Sequence, residues 1–172
     1  MGKTIKKSYY EKLQEQMKAA KPKLRGLKKK LLTVGGKGMV PMPEPHIKEL
    51  LSRGRSFSTR NLLQLDYMET NRCHGNSAIL WADKGNQSCV ICAGWALSDG
   101  IWHQHSWVFD RQGKFIVETT PCRREKYFGF ELTPAEACLF YLLNWEEMRY
   151  LHDPPVPKVE VSKALSLLNP QR

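Results

Sequence analysis

Two strand-like runs that meet at Asp99-Gly100 constrain the fold of this chain more than any other feature. Residues 88–98 and 101–110 are rich in Val, Ile, Trp and Phe, which favour strands. An Asp-Gly pair between two such runs is typical of a two-residue hairpin turn. We therefore predict an antiparallel hairpin at the centre of the domain.

The hairpin turn also sets which residues face each other. Closing the strands on the Asp-Gly pair places Ser98 opposite Ile101 and, counting back along both strands, Gly94 opposite His105. Because glycine has no side chain, we expect space for part of a substrate beside the imidazole of His105.

A third strand should follow the turn Asp-Arg-Gln-Gly at residues 110–113. We predict this strand over residues 113–120, paired so that His105 lies directly opposite Glu118. Opposed Cβ atoms in an antiparallel pair are about 5 Å apart. A carboxylate at that distance can accept the imidazole N–H and fix the orientation of the ring.

Two helices should pack on this sheet. Ala78, Ile79, Leu80 and Ala82 favour a helix over residues 73–84. Thr133-Pro134 followed by Glu136 is typical of a capped helix start and predicts a helix over residues 134–151. The predicted fold class is α+β, with an antiparallel sheet of at least three strands (88–98, 101–110 and 113–120).

Cys73 would lie in the first turn of its helix, next to the predicted His105–Glu118 pair. Unpaired N–H groups and the helix dipole favour a thiolate there and lower the thiol pKa. A thiolate activated by a histidine, which is itself aligned by an acid, is the usual nucleophile for acyl transfer. We therefore predict Cys73, His105 and Glu118 as a catalytic triad. Asn71 and the backbone N–H of Cys73 are the candidate oxyanion donors.

The substrate pocket has three candidate residues. His103 and Trp107 should share a strand face with His105, and Gly94 should lie opposite it. The predicted pocket residues are His103, Trp107 and Gly94.

The ordered pieces CHGNSAILWA and HSWVFDRQGKFIVETTP resemble the transglutaminase-like branch of the papain-like cysteine enzymes. In that group a Cys begins a helix, a His opens a strand, and an acid lies on the next strand. The resemblance implies a papain/transglutaminase-like core and acyl-transfer chemistry without a cofactor or metal. Peptide or amide hydrolysis, deamidation of glutamine and cross-linking to an amine all remain open, with a protein or peptide as the substrate.

Two other interpretations remain open. His103 and His105 are an i, i+2 pair that could bind zinc in a hydrolase, with Glu118 or Cys73 as a third ligand. Alternatively, the chain is a binding module for nucleic acid or an acidic protein, and its His/Trp cluster is core packing.

Positive charge is concentrated at the beginning of the chain. Residues 1–40 hold 12 of the 27 Lys/Arg and 2 of the 17 Asp/Glu, which leaves 15 of each and no net charge in the remainder. Pro22 should end a first helix, and a Gly/Pro-rich segment follows. We predict a basic N-terminal arm with its linker at 1–43 and a cysteine-hydrolase-like domain at 44–172. Residues 3–37 would bind nucleic acid or an acidic protein.

The sequence predicts a cytoplasmic protein that does not bind membranes. No apolar run approaches the roughly 18 residues of a membrane span, and no apolar segment typical of a secretory signal follows the first lysines. Five cysteines without framework-like spacing favour a reducing compartment and free thiols.

Overall fold

The computed structural model describes residues 9–65, 68–84 and 88–144. Within them the chain has an α+β fold, as predicted. It contains four helices: α1 (Tyr9–Val34), α2 (Ile47–Arg53), α3 (Cys73–Lys84) and α4 (Pro134–Leu143).

The sheet has seven strands in these ranges: β1 (Gly38–Met39), β2 (Arg55–Phe57), β3 (Leu62–Gln64), β4 (Cys89–Ser98), β5 (Ile101–Asp110), β6 (Phe115–Glu118) and β7 (Lys126–Glu131). Their spatial order is β2-β7-β4-β5-β6-β3, and β1 also pairs with β5. The pairs β3–β6 and β1–β5 are parallel. The sheet is therefore mixed, which corrects the prediction of an antiparallel sheet, because short segments from before α3 are added to an antiparallel centre.

The hairpin of β4 and β5 confirms the predicted register. Ser98 pairs with Ile101, and Gly94 pairs with His105. Asp99 and Gly100 both have positive φ angles, 51° and 77°, as a type I′ turn requires. A local turn preference was enough to align two strands of ten residues each.

The pairing of β5 with β6 differs from the prediction by two residues. Asp110 pairs with Phe115 and Val108 with Val117, so β6 covers residues 115–118 and Glu118 is not directly opposite His105. The turn includes Lys114, at a φ of 55°, and the Asp110 carboxylate accepts backbone N–H groups inside it. A shift of two residues leaves every side chain on its predicted face of the sheet.

α1 corrects the expectation that Pro22 ends the first helix, since the helix continues through it to Val34. Leu27 and Leu31 are fully buried in the main core cluster, and the Trp102 indole N–H donates to the Gly35 carbonyl at 2.7 Å. This part of the basic segment is therefore packed against the sheet. Burial of the leucines offsets the hydrogen bond that the proline removes. The arm and domain boundary at residue 43 stays a prediction.

α4 begins as predicted. Thr133 and Glu136 form a reciprocal capping box, and Pro134 is in the first turn. The helix ends at Leu143 with Asn144 as its C-cap. The rest of the predicted range, residues 145–151, lies outside the described residues.

Candidate active site

Cys73 is the first residue of α3, which packs on β5. Its thiol is hydrogen-bonded to His105 and also to the backbone and hydroxyl of Ser106. Burial raises the pKa of the thiol, but the bonds and charge of its neighbours outweigh burial and bring the pKa below its ordinary value. A group in this setting ionises more readily than a cysteine in water.

His105 lies between the thiol and an acid. Its Nε2 is 2.9 Å and 3.1 Å from the two carboxylate oxygens of Glu118, which leaves Nδ1 to face Cys73. The imidazole is 1% exposed. Burial lowers its pKa, but the thiol and the carboxylate together raise the pKa to about 9. These shifts favour an imidazolium beside a thiolate.

Glu118 is completely buried and its acceptor capacity is filled. Oε1 accepts the backbone N–H and the hydroxyl of Thr120, both at 2.8 Å. Oε2 accepts the Tyr127 hydroxyl at 2.6 Å. Burial raises the pKa of this carboxyl, yet the bonds from His105 and these donors lower it overall. The Glu118 carboxylate therefore stays ionised and accepts the imidazole N–H of His105.

The contact between His105 and Glu118 forms without the direct strand opposition that we predicted. Glu118 is the last residue of β6, and the paired part of the ladder stops at Val108 and Val117. The carboxylate reaches the ring diagonally, a distance that long side chains span. The structure thus brings the three predicted residues together through a different register.

Ser106 belongs to the site although the sequence did not single it out. Its side chain is fully buried, and its hydroxyl lies 2.9 Å from His74 Nδ1 as well as near the Cys73 sulfur. Its backbone N–H also donates to that sulfur. Only its position next to His105 could have indicated it.

The asparagines near the helix start have different positions. Asn71, the candidate oxyanion donor, is exposed at a φ of 59°. Asn76 is fully buried, and its amide donates to the Glu69 and Thr119 carbonyls, both at 2.7 Å. Asn76 thereby joins the start of α3 to the segment that follows Glu118.

Two of the predicted pocket residues have other roles. Trp107 is fully buried, stacks on His105 at a centroid distance of 6.3 Å and meets Tyr127 edge-on. It supports the imidazole and is not among the residues that line the cavity beside His105. His103 is partly exposed and lies outside the cavity beside His105.

A cavity of about 240 Å³ lies beside His105. Gly94 lines it as predicted, but for another reason: a Cβ at residue 94 would lie 2.3 Å from the Phe128 carbonyl oxygen of β7. Close approach of a neighbouring strand therefore requires this glycine. The residues that line the cavity are Glu44, Pro45, His46, His74, Ala93, Gly94, Gln104, His105, Phe140, Leu143 and Asn144.

The zinc interpretation has no ligand set in the part of the chain that the structure describes. No group of three His, Cys, Asp or Glu residues there could hold a metal ion. The imidazole of His105 is already bonded on both sides, to Glu118 and Cys73. His103 therefore has no ligating partner across the strand face.

Comparisons with known proteins do not assign a family. The sequence matches no protein-family model, and no curated protein or solved structure is significantly similar to the chain.

Proposed function

We propose that this chain is a thiol-dependent acyl-transfer enzyme of the papain/transglutaminase-like kind. Cys73 is the nucleophile, His105 the general acid and base, and Glu118 the residue that orients the imidazole. The observation that carries the proposal is the hydrogen-bonded series from the Cys73 sulfur through His105 to the Glu118 carboxylate. Buried ionisable groups with mutually shifted pKa values are typical of functional sites.

The proposed reaction begins with a thiolate. The Cys73 sulfur attacks the carbonyl carbon of a peptide or side-chain amide, and the backbone N–H of Cys73, at the start of α3, is a donor for the oxyanion. The C–N bond then breaks, and the imidazolium of His105 gives its proton to the leaving nitrogen. A thioester remains on Cys73.

The second half of the reaction regenerates the thiolate and the imidazolium. His105 removes a proton from water or from an amine, which attacks the thioester carbon and releases Cys73. Water completes hydrolysis or deamidation, and an amine completes cross-linking. Glu118 keeps its negative charge throughout and stabilises the imidazolium that forms at each step.

Selective alkylation tests the nucleophile. Cys122 is an exposed cysteine in the same chain and serves as the internal control. At neutral pH, iodoacetamide should label the partly buried Cys73 faster than Cys122, as measured by peptide mass spectrometry over time. His105→Ala should abolish the advantage of Cys73 and leave the labelling of Cys122 unchanged. Equal rates at both cysteines in the unmodified protein would contradict the proposal.

A second candidate function concerns the basic face of α1. Lys21, Arg25, Lys28 and Lys29 are exposed on it, whereas Leu27 faces the core. Such a face can bind phosphates of nucleic acid or an acidic protein, and we propose it as the targeting surface of the enzyme. No helix in the described part of the chain is long and apolar enough to cross a membrane.

Charge reversal tests this surface better than truncation does, because deleting α1 would remove Leu27 and Leu31 from the core. The variant Lys21→Glu/Lys28→Glu/Lys29→Glu should weaken binding to duplex and single-stranded oligonucleotides in fluorescence anisotropy. The salt dependence of the affinity should fall with it. If neither the oligonucleotides nor polyglutamate bind the unmodified protein at low salt, this targeting role is wrong.

A further inference from the structure

The cavity beside His105 contains a buried acid that the proposed triad does not use. Glu44 is 8% exposed and forms part of the cavity wall. It precedes α2, far in sequence from Cys73. Its carboxylate is tied to β5 by the Gln104 amide at 3.1 Å, and Gln104 is the residue before His105.

The hydrogen-bond partners of Glu44 carry no formal charge. Oε1 accepts the His46 backbone N–H at 2.9 Å, and Oε2 accepts the Trp95 indole N–H at 2.8 Å together with the Gln104 amide. A carboxylate has about four acceptor positions, so three donors leave one. Burial raises the pKa of Glu44. The hydrogen bonds from the His46 backbone and the Trp95 indole, with smaller contributions from the His46 ring and the Gln104 amide, oppose this shift only in part. The described residues thus give this acid no Lys or Arg partner.

The rest of the cavity is mostly apolar. Pro45, Ala93, Phe140 and Leu143 contribute walls around the acid. At about 240 Å³ the cavity is smaller than the roughly 300–1,000 Å³ typical of small-molecule sites, a size that suits one side chain. A long aliphatic chain with a charged end can pack its stem on apolar walls and place its cation at a carboxylate.

We propose that Glu44 is a specificity-determining residue and that this cavity binds the lysine or arginine side chain of a peptide substrate. The inference rests on the proposed function: His105, the hydrogen-bond partner of Cys73, and His74, the residue after Cys73, both line this cavity, so a side chain bound there lies at the edge of the catalytic site. Glu44 supplies an acceptor for the cation, and the apolar wall contacts the methylene groups.

This arrangement favours recognition of the cation over reaction at it. A carboxylate within hydrogen-bond distance stabilises the protonated form of an amine, and a protonated amine is not a nucleophile. A lysine bound at Glu44 is therefore held as part of the acyl substrate, and its side chain is not the acceptor of the acyl group.

Binding can be measured without turnover. In the full chain with Cys73→Ala, N-acetyl-lysine methylamide should bind at least about tenfold more tightly than N-acetyl-norleucine methylamide, which has an uncharged chain of similar shape. N-acetyl-arginine methylamide should bind like the lysine compound. The Trp95 indole N–H resonance, assigned with Trp95→Phe, should shift on binding. In this chain, which keeps Glu44, equal affinities for the lysine and norleucine compounds would overturn the inference. An unshifted Trp95 indole resonance would overturn it as well.

The charge of Glu44 is tested by Glu44→Gln. The preference for lysine over norleucine should fall to about twofold or less in this variant, with Glu49→Gln, on α2, as the matched control. A preference that persists in Glu44→Gln would also overturn the inference. If Glu44→Gln does not fold, the relative affinities of the lysine and norleucine compounds for the chain that keeps Glu44 decide whether the inference holds.

A labelling experiment separates this inference from the proposed function. Peptidyl acyloxymethyl ketones that end in lysine or norleucine should both label Cys73, the lysine reagent about tenfold faster. Equal labelling by the two reagents would overturn the role of Glu44 and leave the thiol enzyme standing. If no reagent labels Cys73, the proposed function fails, and the binding measurement still decides whether the cavity takes a cation.

Discussion

Glu118 and Glu44 are two buried carboxylates with opposite surroundings. Glu118 is 0% exposed and accepts bonds from His105, the Thr120 backbone, the Thr120 hydroxyl and Tyr127. Glu44 is nearly as buried, and from the described residues it accepts three bonds, all from uncharged N–H groups. The net pKa shift is downward for Glu118 and upward for Glu44. Burial alone therefore does not set the direction of the pKa shift of a buried acid, because hydrogen-bond donors and nearby charges also contribute to it.

The difference separates two uses of a buried acid. Glu118 is saturated within the protein, so its charge acts on the imidazole of His105 and on nothing outside. Glu44 faces a cavity with acceptor capacity left, so its charge can act on a ligand. Substitution and pH should therefore affect the two acids differently.

The largest effect should follow from removing the charge of Glu118. Glu118→Gln places an amide donor among groups that already donate to this position, and the imidazole of His105 loses its aligning acid. We expect any amide cleavage to fall by about 10³- to 10⁴-fold, and the alkylation rate of Cys73 to fall toward that of an unactivated thiol. Glu131→Gln, which removes a partly exposed acid paired with Arg55 and Arg111, is the control and should change either rate less than twofold.

The two acids should also differ in stability. Glu118→Gln leaves the imidazolium without its buried partner and should lower the free energy of unfolding by about 3–5 kcal/mol. Glu44→Gln removes a charge that has no strong partner and should cost about 1–2 kcal/mol. Urea unfolding followed by tryptophan fluorescence measures both. Equal losses would show that the surroundings of the two acids are energetically alike.

The hydrogen-bond donors of the two acids should contribute unequally to the free energy of unfolding. Tyr127→Phe removes the 2.6 Å bond to Glu118 and keeps the ring against Trp107, so we expect a loss of about 1.5–3 kcal/mol. Gln104→Met removes a donor to Glu44 and should cost about 0.5–1.5 kcal/mol. The same unfolding measurement compares them, and a larger loss for Gln104→Met would reverse the ranking.

The pH dependence of stability should have opposite signs at the two acids. Glu118, with a pKa below its ordinary 4.5, contributes stability that is present above pH 4.5 and is lost as pH falls through its lowered pKa. Glu44, with a pKa above 4.5, costs stability as pH rises from 4.5 through its raised pKa. The free energy of unfolding is measured between pH 3.5 and 7 in about half-unit steps. The loss of stability at low pH should disappear in Glu118→Gln, and the loss of stability with rising pH should disappear in Glu44→Gln.

At higher pH the same measurement tests His105. Because its pKa is raised from 6.5 to about 9, its contribution is fully present below pH 6.5 and is lost as pH rises through about 9. His105→Ala should remove that loss. The lowered pKa of the Cys73 thiol acts in the opposite direction over the same pH range, so the His105 ring is also titrated directly by NMR. A ring that loses its proton at or below pH 6.5 would contradict the ion pair.

The sequence alone determined the elements whose causes are local. The Asp99-Gly100 turn fixed the register of β4 and β5, the Thr133 capping box fixed the start of α4, and the bounds of α3 were predicted in full. The residue types of the candidate triad and their order were likewise visible. These features depend on neighbours within a few residues, where turn and capping preferences act.

Only the tertiary structure decided how distant segments meet. It set the shifted register of β5 and β6, added β1 and β3 in parallel, and carried α1 through Pro22 because its leucines are buried. It also supplied Tyr127 to Glu118 and placed Glu44 in the wall beside His105. These contacts join residues far apart in the chain, and their energies come from burial and hydrogen bonding that no local pattern specifies.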